Sequence, residues 1–155
     1  MINKKVNTTE PVFTLPIRIY WEDTDAGGIV YYANYFKFFE RTRTEWLRHL
    51  GVEQGKLLAG ENCMFVVSES NAKYHHPARI DDLLTITLHV KHQGQASLTL
   101  IQDAWLQDKV APAQRTLVCE STVRLACVQA SNMRPCKIPL SLAELLSAKL
   151  SNRNP

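Results

Sequence analysis

The sequence predicts an α+β domain in which one long helix lies against a single antiparallel sheet of about five strands. Three observations carry that reading. Residues 33–50 repeat apolar side chains at three- and four-residue spacing, as one buried face of a helix requires. Segments 63–74, 83–92, 97–106 and 115–128 alternate or are rich in β-branched residues, as half-buried strands are. Turn-rich stretches ("HHPARIDD", "HQGQ" and "QDKVAPAQ") separate those segments at hairpin-like spacing. One helix followed by a run of strands, without regular alternation of the two, points to a helix layered on one sheet face.

Taken in order, residues 1–11 are polar and are expected to form a flexible N-terminus. Residues 12–140 are expected to be one folded domain, and 141–155 a short C-terminal helix with a tail. Val12 to Tyr20 reads as the first strand, where Pro16 suits an edge or a bulge because it has no N–H to donate. Next comes "WEDTDAGG", with carboxylates at Glu22, Asp23 and Asp25 and glycines at 27 and 28. In the helix that follows, Tyr35, Phe38, Phe39, Thr42, Trp46 and Leu50 share a face, and Arg41 and Glu45 stand four apart on another. Arg48 and His49 suit the negative end of the helix dipole, and Gly51 stands where a left-handed cap is expected. In "LLTITLHV", Leu84, Ile86, Leu88 and Val90 share one side of a strand. The terminal segment "PLSLAELLSAKL" carries Ser141 as N-cap, with Glu144 three residues later to complete a capping box. Adjacent apolar residues in "FVV", "LTLI" and "TLVC" ask for cover on a second face or an edge, which self-association would supply.

Composition narrows the function. A net charge of +3 with scattered basic residues argues against a nucleic-acid binder, which would carry a basic stripe. Four cysteines without C-x-x-C spacing read as reduced thiols in a cytoplasmic protein. The N-terminal stretch lacks the apolar core of a signal peptide, and no run reaches the roughly 20 apolar residues of a transmembrane span. His89 and His92, three apart in a strand, face opposite ways, so no metal is expected.

The acidic loop holds the chemistry. A carboxylate placed between a strand and a helix start lies near N–H groups that the helix leaves unpaired. Those amides can also polarise a carbonyl oxygen, so base and oxyanion site come together as acyl transfer needs. Gly27 and Gly28, without a Cβ, allow close approach of a ligand to the backbone. The same Asp-Thr-Asp-Ala-Gly-Gly stretch is also good turn chemistry, and spacing alone leaves both readings open.

The stretch "RIYWEDTDAGGIVYYANYFKFFERTRTEWLR" resembles the active-site signature of the 4-hydroxybenzoyl-CoA thioesterase family, and within it the Tol-Pal-associated acyl-CoA thioesterases (the YbgC type). "YHHPARIDDLLTI" follows in the same order, so the resemblance extends over most of the chain. It implies a hotdog fold, a long helix wrapped by an antiparallel sheet, assembled as a dimer or tetramer. It implies hydrolysis of acyl-CoA, with coenzyme A arriving as part of the substrate and acyl carrier protein as a possible alternative partner. Asp25 takes the catalytic position, as nucleophile or as general base, and the backbone N–H of Tyr32 takes the oxyanion position. Asp23 and Glu22 fall to loop structure, and Tyr35 to a possible lining of the acyl pocket. Many members of this branch carry His where this chain has Tyr32, which leaves the backbone N–H in place but removes an imidazole. Two other roles stay open: a hotdog hydratase or dehydratase, and a non-enzymatic protein that binds acyl carriers for envelope machinery.

Overall fold

The computed structural model describes residues 10–151, with side chains through 148. The stretch expected to be flexible lies outside the described residues up to position 9, as does the tail from 152. The order of elements is β1 (Phe13–Arg18), α1 (Asn34–His49), α2 (Gln54–Glu61), β2 (Cys63–Tyr74), β3 (Leu83–Gln93), β4 (Ser97–Gln107), β5 (Arg115–Gln129) and α3 (Leu140–Ser151). The five strands form one sheet in the order β1-β3-β4-β5-β2, with every pairing antiparallel. Strands β1 and β2 therefore occupy opposite edges, and α1, which follows β1 in the chain, carries the connection over one face. Pro16 sits on edge strand β1 opposite Thr85, where its missing N–H costs no second ladder. Register shifts at Val67/Glu69, Val90/His92 and Ala104/Trp105 mark irregularities of the bulge type, which increase twist and help the sheet curl around the helix.

Of the predicted face of α1, Tyr35, Phe38, Phe39, Thr42 and Trp46 pack inward; Leu50 falls at the C-cap and is half-buried, and Leu47, not expected on that face, is buried as well. They divide into two groups. Tyr35, Phe38 and Phe39 pack with Ile19, Leu84, Ile86 and Cys119 at the N-terminal half of the helix. Trp46 and Leu47 pack with Leu88, Leu98, Leu100, Leu142 and Leu146 at the other half. Each fully buried aromatic or leucine contributes on the order of 1.5–3 kcal/mol. Between the groups lies Gln102, wholly buried, whose Nε2 donates to the Phe39 carbonyl at 2.9 Å. Its Oε1 accepts from Arg43 Nη1 at 2.9 Å, so this buried amide has partners at both ends.

The C-terminus of α1 closes as a Schellman motif. Val52 N–H donates to Leu47 O at 2.8 Å, Gly51 N–H to Arg48 O at 2.9 Å, and Gly51 takes φ +85°. Glu45 is engaged by Arg48 at 2.6 Å rather than by Arg41. Helix α2 was not foreseen because "QGKLLAGE" contains two glycines and buries no side chain, so it has no apolar face to read. Helix α3 begins at Leu140, one residue before the expected cap, which places Ser141 inside the first turn and dissolves the capping box. The carbonyl of Pro139 accepts from Ala143 N–H at 2.9 Å, and Leu142 and Leu146, four apart, carry the buried stripe.

Candidate active site

After β1 the chain turns through a short 3-10 segment, Trp21–Asp23. The Asp23 carboxylate accepts Tyr20 N–H at 2.8 Å. Its carbonyl accepts both Tyr31 N–H and Asn34 Nδ2, each at 2.9 Å. Asp23 thus ties the acidic loop to the start of α1, the structural part expected of it. Thr24 and Val30 pair across a small hairpin, and Ile29 and Val30 dock on Arg79 and Ala78 of the β2–β3 connection.

Asp25 stands at the corner of that hairpin. Its N–H donates to Ile29 O at 2.9 Å and its carbonyl accepts Gly28 N–H at 3.0 Å, with Gly28 at φ +78°. Oδ1 accepts Gly27 N–H at 2.8 Å; Oδ2 has no partner among the described residues. A Cβ on Gly27 would come within 3.1 Å of Oδ1, so the missing side chain keeps room beside the carboxylate. Both glycine N–H groups are engaged with Asp25, so these residues shape the turn rather than offer donors to a ligand.

The start of α1 has a different character. Ala33 occupies the N-cap and offers no side-chain acceptor. Asn34 N–H reaches Tyr31 O at 2.9 Å and Phe36 N–H reaches Ala33 O at 3.2 Å. The N–H of Tyr32 has no acceptor among the described residues. Its carbonyl accepts Tyr74 Oη–H at 3.0 Å, and its side chain is 60% exposed.

A cleft of about 370 Å³ opens beside this helix start, walled by Ile29, Tyr32, Tyr35, Tyr74, His75 and His76 among others. Tyr35 is buried in the wall with its ring 5.7 Å from both Phe38 and Tyr74. Burial, helped by nearby Cys119, Tyr74 and Asp82, pushes its phenol far above the usual value, so it stays neutral. His75 presents Nε2 at 3.6 Å from Glu120 Oε2, and its N–H donates to Val118 O at 2.8 Å. Asp25 is not itself in the cleft wall of the single chain; it is joined to the wall through its bond to Ile29.

The structure therefore brings Tyr32 and Tyr35 together at the cleft and sets Asp25, Gly27 and Gly28 on the adjoining turn. Tyr74 and His75, which faces Glu120, belong to the same neighbourhood and were not expected there from the sequence, where only His89 and His92 were weighed, as metal ligands. The signal was available: "YHHP" ends a strand and begins the segment that docks on residues 29–30. Among the described residues no group of His, Cys, Asp and Glu has the geometry to hold a metal. A carboxylate with one oxygen unpaired among the described residues, an unpaired backbone N–H just ahead of α1 and an aromatic cleft are the parts from which acyl transfer to water is built.

Fold and site together define a hotdog protein of the thioesterase type. The family model for the thioesterase superfamily matches residues 27–113, and the chain belongs to that family. Among characterised relatives, the acyl-CoA thioester hydrolase YbgC of Escherichia coli is 41% identical over 137 residues, covering 88% of this chain and 96% of that protein. The acyl-CoA thioesterase YbgC of Haemophilus influenzae is 38% identical, covering 82% and 88%. Among solved structures, the 4-hydroxybenzoyl-CoA thioesterase of a Pseudomonas species superposes with a TM-score of 0.78 at 20% identity, covering 85% and 96%.

Proposed function

We propose that this chain hydrolyses acyl-CoA thioesters, with Asp25 attacking the thioester carbonyl or deprotonating the water that does so. The observation that carries the reading is the unpaired Tyr32 N–H at the positive end of α1, beside an aromatic cleft and the Asp25 turn. As the carbonyl carbon becomes tetrahedral, charge gathers on its oxygen, where that N–H and the helix dipole stabilise it. The free Oδ2 of Asp25 supplies the electron pair or accepts the proton, while Gly27 holds Oδ1. Collapse of a water adduct releases coenzyme A thiol and the carboxylic acid; collapse of an Asp25 adduct expels the thiolate and leaves an acyl–Asp25 anhydride, which water then hydrolyses to the acid and the free carboxylate. Relatives named as acyl-CoA thioester hydrolases over almost their whole length support the substrate class. No metal or prosthetic group enters this scheme; coenzyme A comes with the substrate.

The working unit in this reading is a homo-oligomer, dimer or tetramer. Strand β2 leaves one edge unpaired, and Val67 and Phe36 stand exposed beside the groove between α1 and β2. A second copy there would cover the groove. The reading also places the enzyme in the cytoplasm, in association with the Tol-Pal envelope system, with acyl carrier protein as an alternative thiol. Among the described residues, no helix is long and apolar enough to cross a membrane. Thiol release from acyl-CoAs of graded chain length, compared for the native chain and Asp25→Asn, tests the mechanism. Undiminished turnover by the variant would remove Asp25 from it.

One observation favours a second reading. His75 lines the cleft with Glu120 Oε2 3.6 Å behind it, the imidazole–carboxylate combination that a hotdog hydratase would use, and the acidic loop by itself lacks it. Hydration of an enoyl thioester, abolished by His75→Gln while thiol release persists, would assign that chemistry instead.

A further inference from the structure

Three of the four cysteines form a row at the end of the molecule away from the cleft. Cys63 opens β2, Cys127 lies near the end of β5, and Cys136 follows the turn after β5. The sulfur of Cys127 lies 3.4 Å from that of Cys63 and 3.7 Å from that of Cys136. Cys63 and Cys127 are buried, and Cys136 is half-buried. We propose that this row is an oxidation site: a peroxide reacts at Cys136, and Cys127 resolves the product as a Cys127–Cys136 disulfide.

Register, rather than sulfur distance, selects the pair. Val128 bridges Pro135 in antiparallel fashion, so Cys127 and Cys136 stand directly opposite one another, and Cys136 N–H donates to Cys127 O at 3.0 Å. Cys127 gives its own N–H to Ala96 O at 2.8 Å, so the two cysteines share one hydrogen bond; opposed residues of an antiparallel pair have Cα atoms roughly 4.5–5.5 Å apart, inside the range a disulfide spans. Cys63 pairs with Gln129, and Cys127 with Phe65, so Cys63 and Cys127 are diagonal neighbours. Diagonal Cα separations are roughly 7–8 Å, beyond what a disulfide bridges without backbone movement. The closest sulfurs are therefore not the ones that can bond.

Accessibility selects the order of events. Burial and the two flanking thiols hold Cys127 above the ordinary thiol value, and burial does the same to Cys63, so neither is the point of entry. In the first step, Cys136 thiolate attacks hydrogen peroxide, giving sulfenic acid and, with a proton, water. In the second, the Cys127 sulfur displaces the sulfenic hydroxyl, which leaves as water with the Cys127 proton. Two thiols and one peroxide become one disulfide and two waters. Cys119, buried in the other half of the core with no second sulfur beside it, has nothing to form a disulfide with and serves as an internal reference.

The native chain treated with one equivalent of hydrogen peroxide, then denatured and alkylated, tests this. Free thiols should fall from four to two, the mass should drop by two hydrogen atoms, and peptide mapping should join Cys127 to Cys136. Cys63→Ser should behave the same with one thiol fewer, and Cys136→Ser should lose no thiols. The proposal is overturned by a Cys63–Cys127 bond in the native chain or in Cys136→Ser. Oxidation of Cys136 to sulfinic acid while Cys127 stays alkylatable would overturn it equally.

Discussion

The two ends of α1 obey opposite rules. At the C-terminus the backbone is closed: Leu50, Gly51 and Val52 return their N–H groups to Trp46, Leu47 and Arg48, and α3 packs Leu142 and Leu146 in the same core as Trp46. At the N-terminus no side chain caps the helix, the Tyr32 N–H is unpaired among the described residues, and Tyr31 and Tyr32 stand largely exposed. A helix end without a cap forfeits about 1 kcal/mol. Stability alone gives no reason to leave one end open while completing the other. An open end beside the turn that carries Asp25 is where the proposed site lies, and the contrast between the two ends can be tested without reference to any relative.

The largest expected effect separates the ends by activity. Asp25→Asn keeps the Gly27 contact possible but removes the charge, and should lower kcat by roughly 10²–10⁴ with little change in melting temperature. Thiol release and a thermal scan on the same preparation read both. At the closed end Trp46→Ala should do the reverse, costing about 3–5 kcal/mol in urea unfolding because the indole is fully buried among leucines. Where enough protein stays folded, its turnover per folded molecule should match the native value. A loss of turnover beyond the unfolded fraction would mean that the two halves of the core are not independent.

Tyr32→Pro addresses the open N–H itself. Proline deletes that donor, and since the donor has no acceptor among the described residues, no hydrogen bond among them is lost with it. Removing one oxyanion donor costs roughly 10²–10³ in kcat. Tyr32→Phe should leave kcat nearly unchanged, because the proposed role belongs to the backbone. Equal losses in both variants would move the role from the N–H to the phenol.

How much of this was legible in the sequence follows from which signals are local. Strands β2 to β5 and helix α1 emerge within a residue or two of their predicted bounds, because each buries one face and so writes a period into the chain. Helix α2 buries nothing and wrote no period. Ser141 was read as a cap from residue type, whereas Pro139 set where α3 begins. Asp25 and Tyr32 could be singled out because turn chemistry and a helix start fall side by side in the chain. The His75–Glu120 pair and the cysteine row could not, since register between distant strands brings them together, and a single sequence does not state register.

The finest test uses a matched pair of glycines, one at each end. Gly28 and Gly51 take φ +78° and +85°, and a Cβ added at either meets no atom within 4 Å. Steric fit is therefore equal, and alanine at each position should carry the same backbone strain, about 1–2 kcal/mol for an L-residue in the left-handed region. For a chain of this size that corresponds to a fall in melting temperature of roughly 2–4 °C per kcal/mol. Gly51→Ala should stop there, because the Schellman closure touches nothing at the cleft. Gly28→Ala should show a similar thermal shift and in addition lower kcat, because Gly28 N–H bonds to the Asp25 carbonyl and any relaxation of the strained φ rotates the turn that aims the carboxylate. Equal thermal shifts with unequal kcat would assign the difference to position alone. Equal kcat values would mean that the turn tolerates the displacement, and that the aim of Asp25 is fixed by its bond to Ile29 rather than by Gly28.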